Sequence, residues 1–289
     1  MKRCTAFLLA LAALGAGCQD PSQPDQARGN VLRNQGRYEE AIAAYRAGLA
    51  KSPERTVLQV RIAETYFDAG RLDEAEAAWK KALEMNPEEE AALLGLARVA
   101  DRRGDTAAAR RWLDRLLEIS PANLYARMSR GNLALKAGDA EAAVEDYARA
   151  VEQDGSNPSA LYGYGSALLA AGDPKNARSA FERLERMNGD SPLGAYGLAR
   201  LAAAEGKPDE AMRLLEEALR RARQARVRLD PNDVLGDRFL APLREHPRMP
   251  ALLEAMQRHT EAIDRENARA AQALEARRRE AAKGSAKTP

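Results

Sequence analysis

Thiols and imidazoles are the side chains that most readily act as nucleophiles, bases and metal ligands near neutral pH. This chain holds two of each: Cys4, Cys18, His246 and His259. The two cysteines stand near the start and the two histidines near the end, with no ligand-type spacing between any of them. His246 precedes Pro247 in a turn, and His259 lies beside Arg258 and Glu261. Both read as surface residues rather than bases or ligands. Gly163-Tyr164-Gly165-Ser166 has the glycines of a nucleophile elbow, but its serine is misplaced for Gly-x-Ser-x-Gly and the surrounding pattern is helical. No glycine-rich phosphate loop follows a strand, because no stretch alternates with period two. Carboxylate pairs are frequent only because the chain has 43 acidic residues. The expectation is a protein without catalytic residues, metal or cofactor, hence not an enzyme.

Binding is the chemistry that remains. The chain has 289 residues, 45% hydrophobic, which is ample for a core. Aromatics are only 5%, and alanine, leucine, glutamate and arginine dominate, a helical composition. Forty-five basic residues against 43 acidic ones leave a net charge of +2. That balance excludes a dedicated nucleic-acid binder, which carries a basic stripe.

Residues 1–18 have a different character. Lys2 and Arg3 precede an uncharged run from Ala6 to Leu14, too short to span a bilayer. It reads as a secretory signal. The run ends Leu14-Gly15-Ala16-Gly17-Cys18, with polar residues following at once. This resembles the lipobox of bacterial lipoproteins, although the leucine usual three places before the cysteine is here Gly15. A plain signal peptide with an incidental cysteine, or a buried N-terminal helix, is the alternative. The resemblance implies that Cys18 is acylated and starts the mature chain, with two or more acyl chains giving stable attachment. Gln19 rather than aspartate follows, which in enterobacterial lipoproteins implies the outer membrane. Cys4 would be lost with the signal. The polar, proline-bearing residues 19–27 suit a tether.

From there a 34-residue period runs through the chain. Gly36, Gly70, Gly104, Gly138, Gly172 and Gly206 fall in phase, as do Ala41, Ala75, Ala109, Ala143, Ala177 and Ala211. A small series (Gly29, Ala63, Ala97, Gly131, Gly165, Ala199) and a bulky one (Tyr45, Trp79, Leu113, Tyr147, Phe181, Leu215) keep the same step. Pro53, Pro87 and Pro121 close the first three periods. Each series has a mechanical reading. Small residues sit where helices cross, the turn glycine takes positive φ, the bulky residue fills the space between helices, and proline separates the periods. In the second period helix A is expected over Val57–Ala69 and helix B over Asp73–Met85. The first helix of the chain, Asp25–Gln35, is polar enough to serve as an end cap.

These series resemble the tetratricopeptide repeat. The resemblance implies an all-α fold: an α-solenoid of about six helix-turn-helix repeats, with a C-terminal capping helix and a long terminal helix. It also implies that the first helices line a groove, read at the second, fifth, ninth, twelfth and thirteenth places of each repeat. Carried onto this chain, the inviting residues are Arg98, Arg102, Tyr125, Met128, Asn132, Lys136, Tyr162, Tyr196 and Arg200. Tyrosine and arginine are the residues that most often anchor interfaces. Some of the tyrosines could instead fill the core between repeats. Family members that clamp a peptide carboxylate use lysine and asparagine where this chain has Gln26 and Glu64, so no such clamp is expected.

The expected organisation is a signal over 1–17, lipidated Cys18 and tether over 18–27, and the array over 22–225. A capping segment follows over 226–249, then a helix over 250–283 and a disordered tail over 284–289. Arginines between 213 and 228 read as a solvated helix end. Asp237-Arg238-Phe239-Leu240-Ala241-Pro242-Leu243-Arg244 to Pro247-Arg248 resembles elements that often follow such arrays; Leu235, Phe239, Leu240 and Leu243 are expected to cover the last repeat. Leu253, Met256, Thr260, Ile263, Asn267, Ala270 and Leu274 form a weak heptad, fitting a long helix packed at its start or, less simply, a coiled coil.

The resemblance implies a non-enzymatic scaffold on the periplasmic side of the bacterial outer membrane. It would bind protein or peptide segments of envelope proteins and assist assembly or localisation of a complex such as a pilus, secretin or motility machine. The alternative is an adaptor delivering substrates to a periplasmic protease or cell-wall enzyme. Contact with the membrane would be through lipid on Cys18; no nucleic acid and no metal is expected.

Overall fold

The computed structural model describes residues 20–285, with side chains through Ala273 and at Ala276. The expected signal, Cys18 and the last four residues lie outside the described residues, as does the side chain of Leu274. Among the described residues there are only helices and turns. The chain divides into two compact units at Ser129/Arg130.

The first unit contains α1 (Gln23–Asn34), α2 (Tyr38–Lys51), α3 (Thr56–Asp68), α4 (Leu72–Met85), α5 (Glu90–Arg102) and α6 (Thr106–Ile119), and the start of α7 (Leu124–Ala137). Helix α1 begins two residues before the expected Asp25, so part of the expected tether is folded. The reason is local. The Asp20 carboxylate accepts from the Ser22 backbone N–H (2.9 Å) and hydroxyl (2.6 Å) and from the Ser52 hydroxyl (3.1 Å), and pairs with Arg55. Asp25 pairs with Lys51 at 2.7 Å.

The second unit holds the rest of α7, then α8 (Ala140–Gln153), α9 (Pro158–Ala170), α10 (Pro174–Met187), α11 (Pro192–Ala204) and α12 (Pro208–Ala225). A short α13 (Pro231–Gly236), a 3₁₀ turn (Ala241–Leu243) and the long α14 (Met249–Ser285) complete it. Pro158, Pro174, Pro192, Pro208 and Pro231 each open a helix, where the missing N–H costs nothing.

The periodic residues build the same joint six times. All six turn glycines have φ between +71° and +81°. The residue after each donates its backbone N–H to a carbonyl five residues earlier, as Arg71 does to Tyr66 and Asp173 to Leu168, both at 2.9 Å. This is the Schellman closure, which satisfies carbonyls left over at a helix end. The six alanines and six bulky residues of the second helices are buried. The small series meets the bulky one directly. A methyl group on Gly131 would lie 2.8 Å from Cε2 of Tyr147, and one on Gly165 would lie 2.6 Å from Cε1 of Phe181. Glycine faces a phenyl-type ring at Tyr45, Tyr147 and Phe181, whereas alanine goes with Trp79, Leu113 and Leu215.

A second glycine series, Gly95, Gly163 and Gly197, also abuts these rings, from the next repeat: Trp79, Tyr147 and Phe181 respectively. Gly163 and Gly165, which imitate part of a nucleophile elbow in sequence, are therefore clearance for Tyr147 and Phe181.

The C-terminal segment covers the last helix pair. Val234, Leu240, Leu243, Met249, Leu252 and Met256 are buried in one cluster with Tyr196, Ala199, Met212, Leu215 and Leu219. The expected Leu235 is exposed and Val234 takes its place, because a six-residue helix turns the neighbouring position inward. The α14 stripe is Met249, Leu252, Met256, His259 and Thr260, with Ile263 partly buried, while Asn267 and Ala270 are exposed. His259 is buried rather than a surface residue: its Nε2 lies 2.8 Å from the Val227 carbonyl, and the Thr260 hydroxyl donates to the Leu229 carbonyl at 3.3 Å. His246 is also largely covered, with Nε2 3.3 Å from Asp209.

The arginine-rich end of α12 does more than face solvent. Arg226 closes the helix in the left-handed region at φ +53°. Arg223 donates to the Ala255 carbonyl (3.0 Å), Arg226 pairs with Glu266 (3.0 Å) and Arg228 with Asp264 (2.9 Å). These contacts tie α14 to the end of α12 and the residues just after it, across 30 to 40 residues of sequence.

Candidate functional site

In the first unit the groove-facing positions fall on α1, α3, α5 and the start of α7. Much of the charge there is already matched. Arg33 of α1 pairs with Glu64 at 2.6 Å and Asp68 at 2.7 Å, and Arg61 reaches Glu64 at 2.8 Å. Burial opposes the charge of Arg33, but the hydrogen bond it donates to Asp68 and the fields of both carboxylates win, and its pKa is raised. Glu64 is thus a bridging carboxylate, not an open one.

Phe67 of α3 is buried, with its ring 5.7 Å from Trp79. Arg98 and Arg102, one turn apart on α5, are both exposed and both stack on that ring, their guanidinium carbons 4.3 Å and 5.0 Å from its centre. Tyr125 on α7 is 67% exposed, and Met128 is half-buried. Asn30 is held in orientation from below, since the buried Tyr45 hydroxyl donates to its Oδ1 at 2.8 Å.

The second unit repeats that last device three periods later. Tyr147 donates to Oδ1 of exposed Asn132 at 2.6 Å. Burial first, and Asp146 next, push the Tyr147 phenol up, so it stays a donor at any physiological pH. Lys136 is exposed and has a contact of its own.

The remaining expected groove residues of this unit are covered by its own C-terminal segment. Tyr196 is 8% exposed and belongs to the core cluster under the cap. Tyr162 packs on Phe181, ring centres 6.0 Å apart. Burial pushes both phenols up. Arg200 donates to the Ser166 hydroxyl at 2.7 Å and to the Tyr162 hydroxyl at 3.4 Å. Its Nε lies 2.6 Å from Asp237, a close ion pair whose N–H does not point along that line. The two side chains are only 13% and 10% exposed. Phe239 closes over the guanidinium at 5.2 Å. Tyr162, Tyr196 and Arg200 are therefore core and latch rather than open groove. Asp237 was missed because nothing in the spacing between Arg200 and Asp237 repeats elsewhere. Phe67 stood at a groove position, but only the fold shows two cations on its ring.

Among the described residues, no three histidines, cysteines or carboxylates stand close enough to hold a metal ion. No helix among them is long and apolar enough to cross a membrane.

The helix pairs are matched by comparison with known proteins. One tetratricopeptide repeat family model matches residues 60–123 and 128–192, and a second matches 32–80 and 168–229. No curated protein matches the chain. Among solved structures, a tetratricopeptide repeat protein from Parabacteroides merdae superposes with a TM-score of 0.59 at 17% identity, covering 82% of this chain and 98% of that one. YrrB, described as a TPR protein with an unusual peptide-binding site, gives 0.52 at 20% identity, covering 62% of this chain and 92% of its own. MamA gives 0.50 at 20% identity, covering 58% and 92%. Likeness at such identities speaks for the fold alone. With the two family models together spanning most of residues 32–229, and six copies of one helix-turn-helix joint beneath them, the chain belongs to the tetratricopeptide repeat family.

Proposed function

We propose that this protein is a non-enzymatic scaffold, lipid-anchored through Cys18 to the bacterial outer membrane and facing the periplasm. There it binds segments of other envelope proteins and helps assemble or localise a complex such as a pilus, secretin or motility machine. The observation that carries the binding part is the contrast between the two units. In the second, Tyr162, Tyr196 and Arg200 are covered by the cap, and only Asn132 and Lys136 of the expected groove residues stay exposed. In the first, Arg98, Arg102 and Tyr125 remain exposed on successive first helices. A tyrosine 67% exposed at a groove position of the repeat is a surface ready for a protein partner. YrrB, a relative in fold, is described by its peptide-binding site. The anchoring part rests on the N-terminal pattern that ends at Cys18.

Two measurements test the proposal in cells. Metabolic acyl labelling and membrane fractionation of Cys18→Ser against the wild type test the anchor; unchanged fractionation and no acyl label on the wild type would reject it. A photo-crosslinking residue at position 125, followed by mass spectrometry, tests the surface. Envelope assembly components are expected among the adducts. A protease or cell-wall hydrolase there would instead identify an adaptor, and no adduct would reject a binding role for this face.

A further inference from the structure

Most arginines on the first helices already have a partner: Arg33, Arg61, Arg130 and Arg200 each sit against a carboxylate within 2.8 Å, and Arg127 donates to the Pro121 carbonyl. Arg98 and Arg102 form no ion pair and no hydrogen bond among the described residues; their recorded contact is the face of Phe67. Asp101, on the same helix, is engaged in a contact of its own. Like charges one helical turn apart repel. Here both are drawn onto one buried ring, 4.3 Å and 5.0 Å from its centre, which concentrates two positive charges.

That arrangement is pre-ordered. Stacking removes much of the rotamer freedom that an arginine otherwise loses on binding, while the N–H edges of a stacked guanidinium stay available. Two such edges side by side match the oxygens of a carboxylate, the acceptor that guanidinium binds in bidentate fashion. Leu94, one turn before Arg98 on the same helix face, is half-buried and offers an apolar shoulder.

We infer that Arg98 and Arg102, seated on Phe67, form a docking site for an acidic segment of a protein partner, one carrying a glutamate or aspartate next to an apolar side chain. The counter-charge missing among the described residues is supplied by that partner. The inference rests on the scaffold reading and deepens it by naming the ligand's chemistry. It is not the lysine–asparagine carboxylate clamp, whose positions hold Gln26 and the neutralised Glu64.

The test uses the full-length protein in detergent and two labelled peptides. One is acetyl-Ser-Glu-Leu-Glu-Leu-Ser-amide with fluorescein, and the other replaces each glutamate with glutamine. Fluorescence anisotropy should show the glutamate peptide bound about tenfold more tightly, the worth of one charge-assisted contact. Arg98→Ala with Arg102→Ala should erase the preference with helicity unchanged. The double lysine variant should keep part of it. Arg213→Ala, an exposed arginine on α12, should leave it intact. Equal binding of the two peptides, binding of neither, or an equal loss from Arg213→Ala would overturn the inference. Crosslinking from position 125 separates the two levels. A partner captured as efficiently by the double alanine variant sinks the acidic-segment site and leaves the scaffold standing, whereas no partner even with the wild type sinks the scaffold.

Discussion

Gly165→Ala measures how tightly the repeat joint is packed. In a solvated helix interior this change stabilises by about 1 kcal/mol, since alanine loses less backbone entropy and is the better helix former. Here the new methyl group would lie 2.6, 2.8 and 2.9 Å from three atoms of the Phe181 ring. Ordinary carbon contacts begin near 3.5 Å, so the ring would have to retreat by several tenths of an ångström at least. It has nowhere to go: Phe181 is fully buried, Gly197 of the next helix pair abuts it, and Tyr162 stands 6.0 Å away between centres. Overpacking of this kind costs about 1–3 kcal/mol, and the confinement places this case in the upper part of that range. Against the gain in propensity, the net loss should be about 1–2 kcal/mol. The chain also supplies the control. Where the small position is alanine, as at Ala97 and Ala199, the bulky partner is Leu113 or Leu215. In a Phe181→Leu background, Gly165→Ala should therefore be neutral or stabilising by up to about 1 kcal/mol. Urea unfolding followed by circular dichroism reads both effects as shifts in midpoint. If Gly165→Ala stabilises the wild type, or costs the same in both backgrounds, the packing argument fails.

Further outcomes follow from the latch and from charge. Arg200→Met should strand the carboxylate of Asp237 in a largely covered site and cost about 2–3 kcal/mol, and Arg200→Met with Asp237→Leu should recover much of it. Faster proteolysis between residues 226 and 248 in the single variant would report the loosened cap; protection equal to wild type would refute the latch. Glu217 is held down to about 2, first by the Arg220 hydrogen bond and then by Arg221. Its folded pKa lies below the unfolded value near 4.5. Its contribution is therefore complete above that value and disappears as pH falls through about 2. The pair is solvent-screened, so the effect is small. Glu217→Gln should lower Tm at neutral pH and show a smaller deficit at pH 2, and an equal deficit at both would refute the assignment.

The repeat was legible because its constraints are local and recur. A helix that ends in a Schellman turn needs positive φ at a set place, and helices that cross closely need a small residue at another. A regular solenoid imposes both every 34 residues, so glycine and alanine print the period on the chain. The same regularity led to Arg98, Arg102 and Tyr125, since a groove position is a place in the period.

What lay outside the period was decided by the fold. Whether Tyr162, Tyr196 and Arg200 face a groove or a core depends on where residues 230–256 travel, and that path is set by non-repeating contacts: Val234 in place of Leu235, Asp237 beneath Arg200, and buried His259 at the Val227 carbonyl. A single occurrence leaves no pattern to read. Likewise, arginine at two positions of α5 reads as charge in the sequence, and only three-dimensional packing puts both guanidinium groups on one ring with no carboxylate to answer them. Periodicity reports the contacts that a repeat makes with its own kind; the contacts that give each repeat its individual task are long-range and occur once.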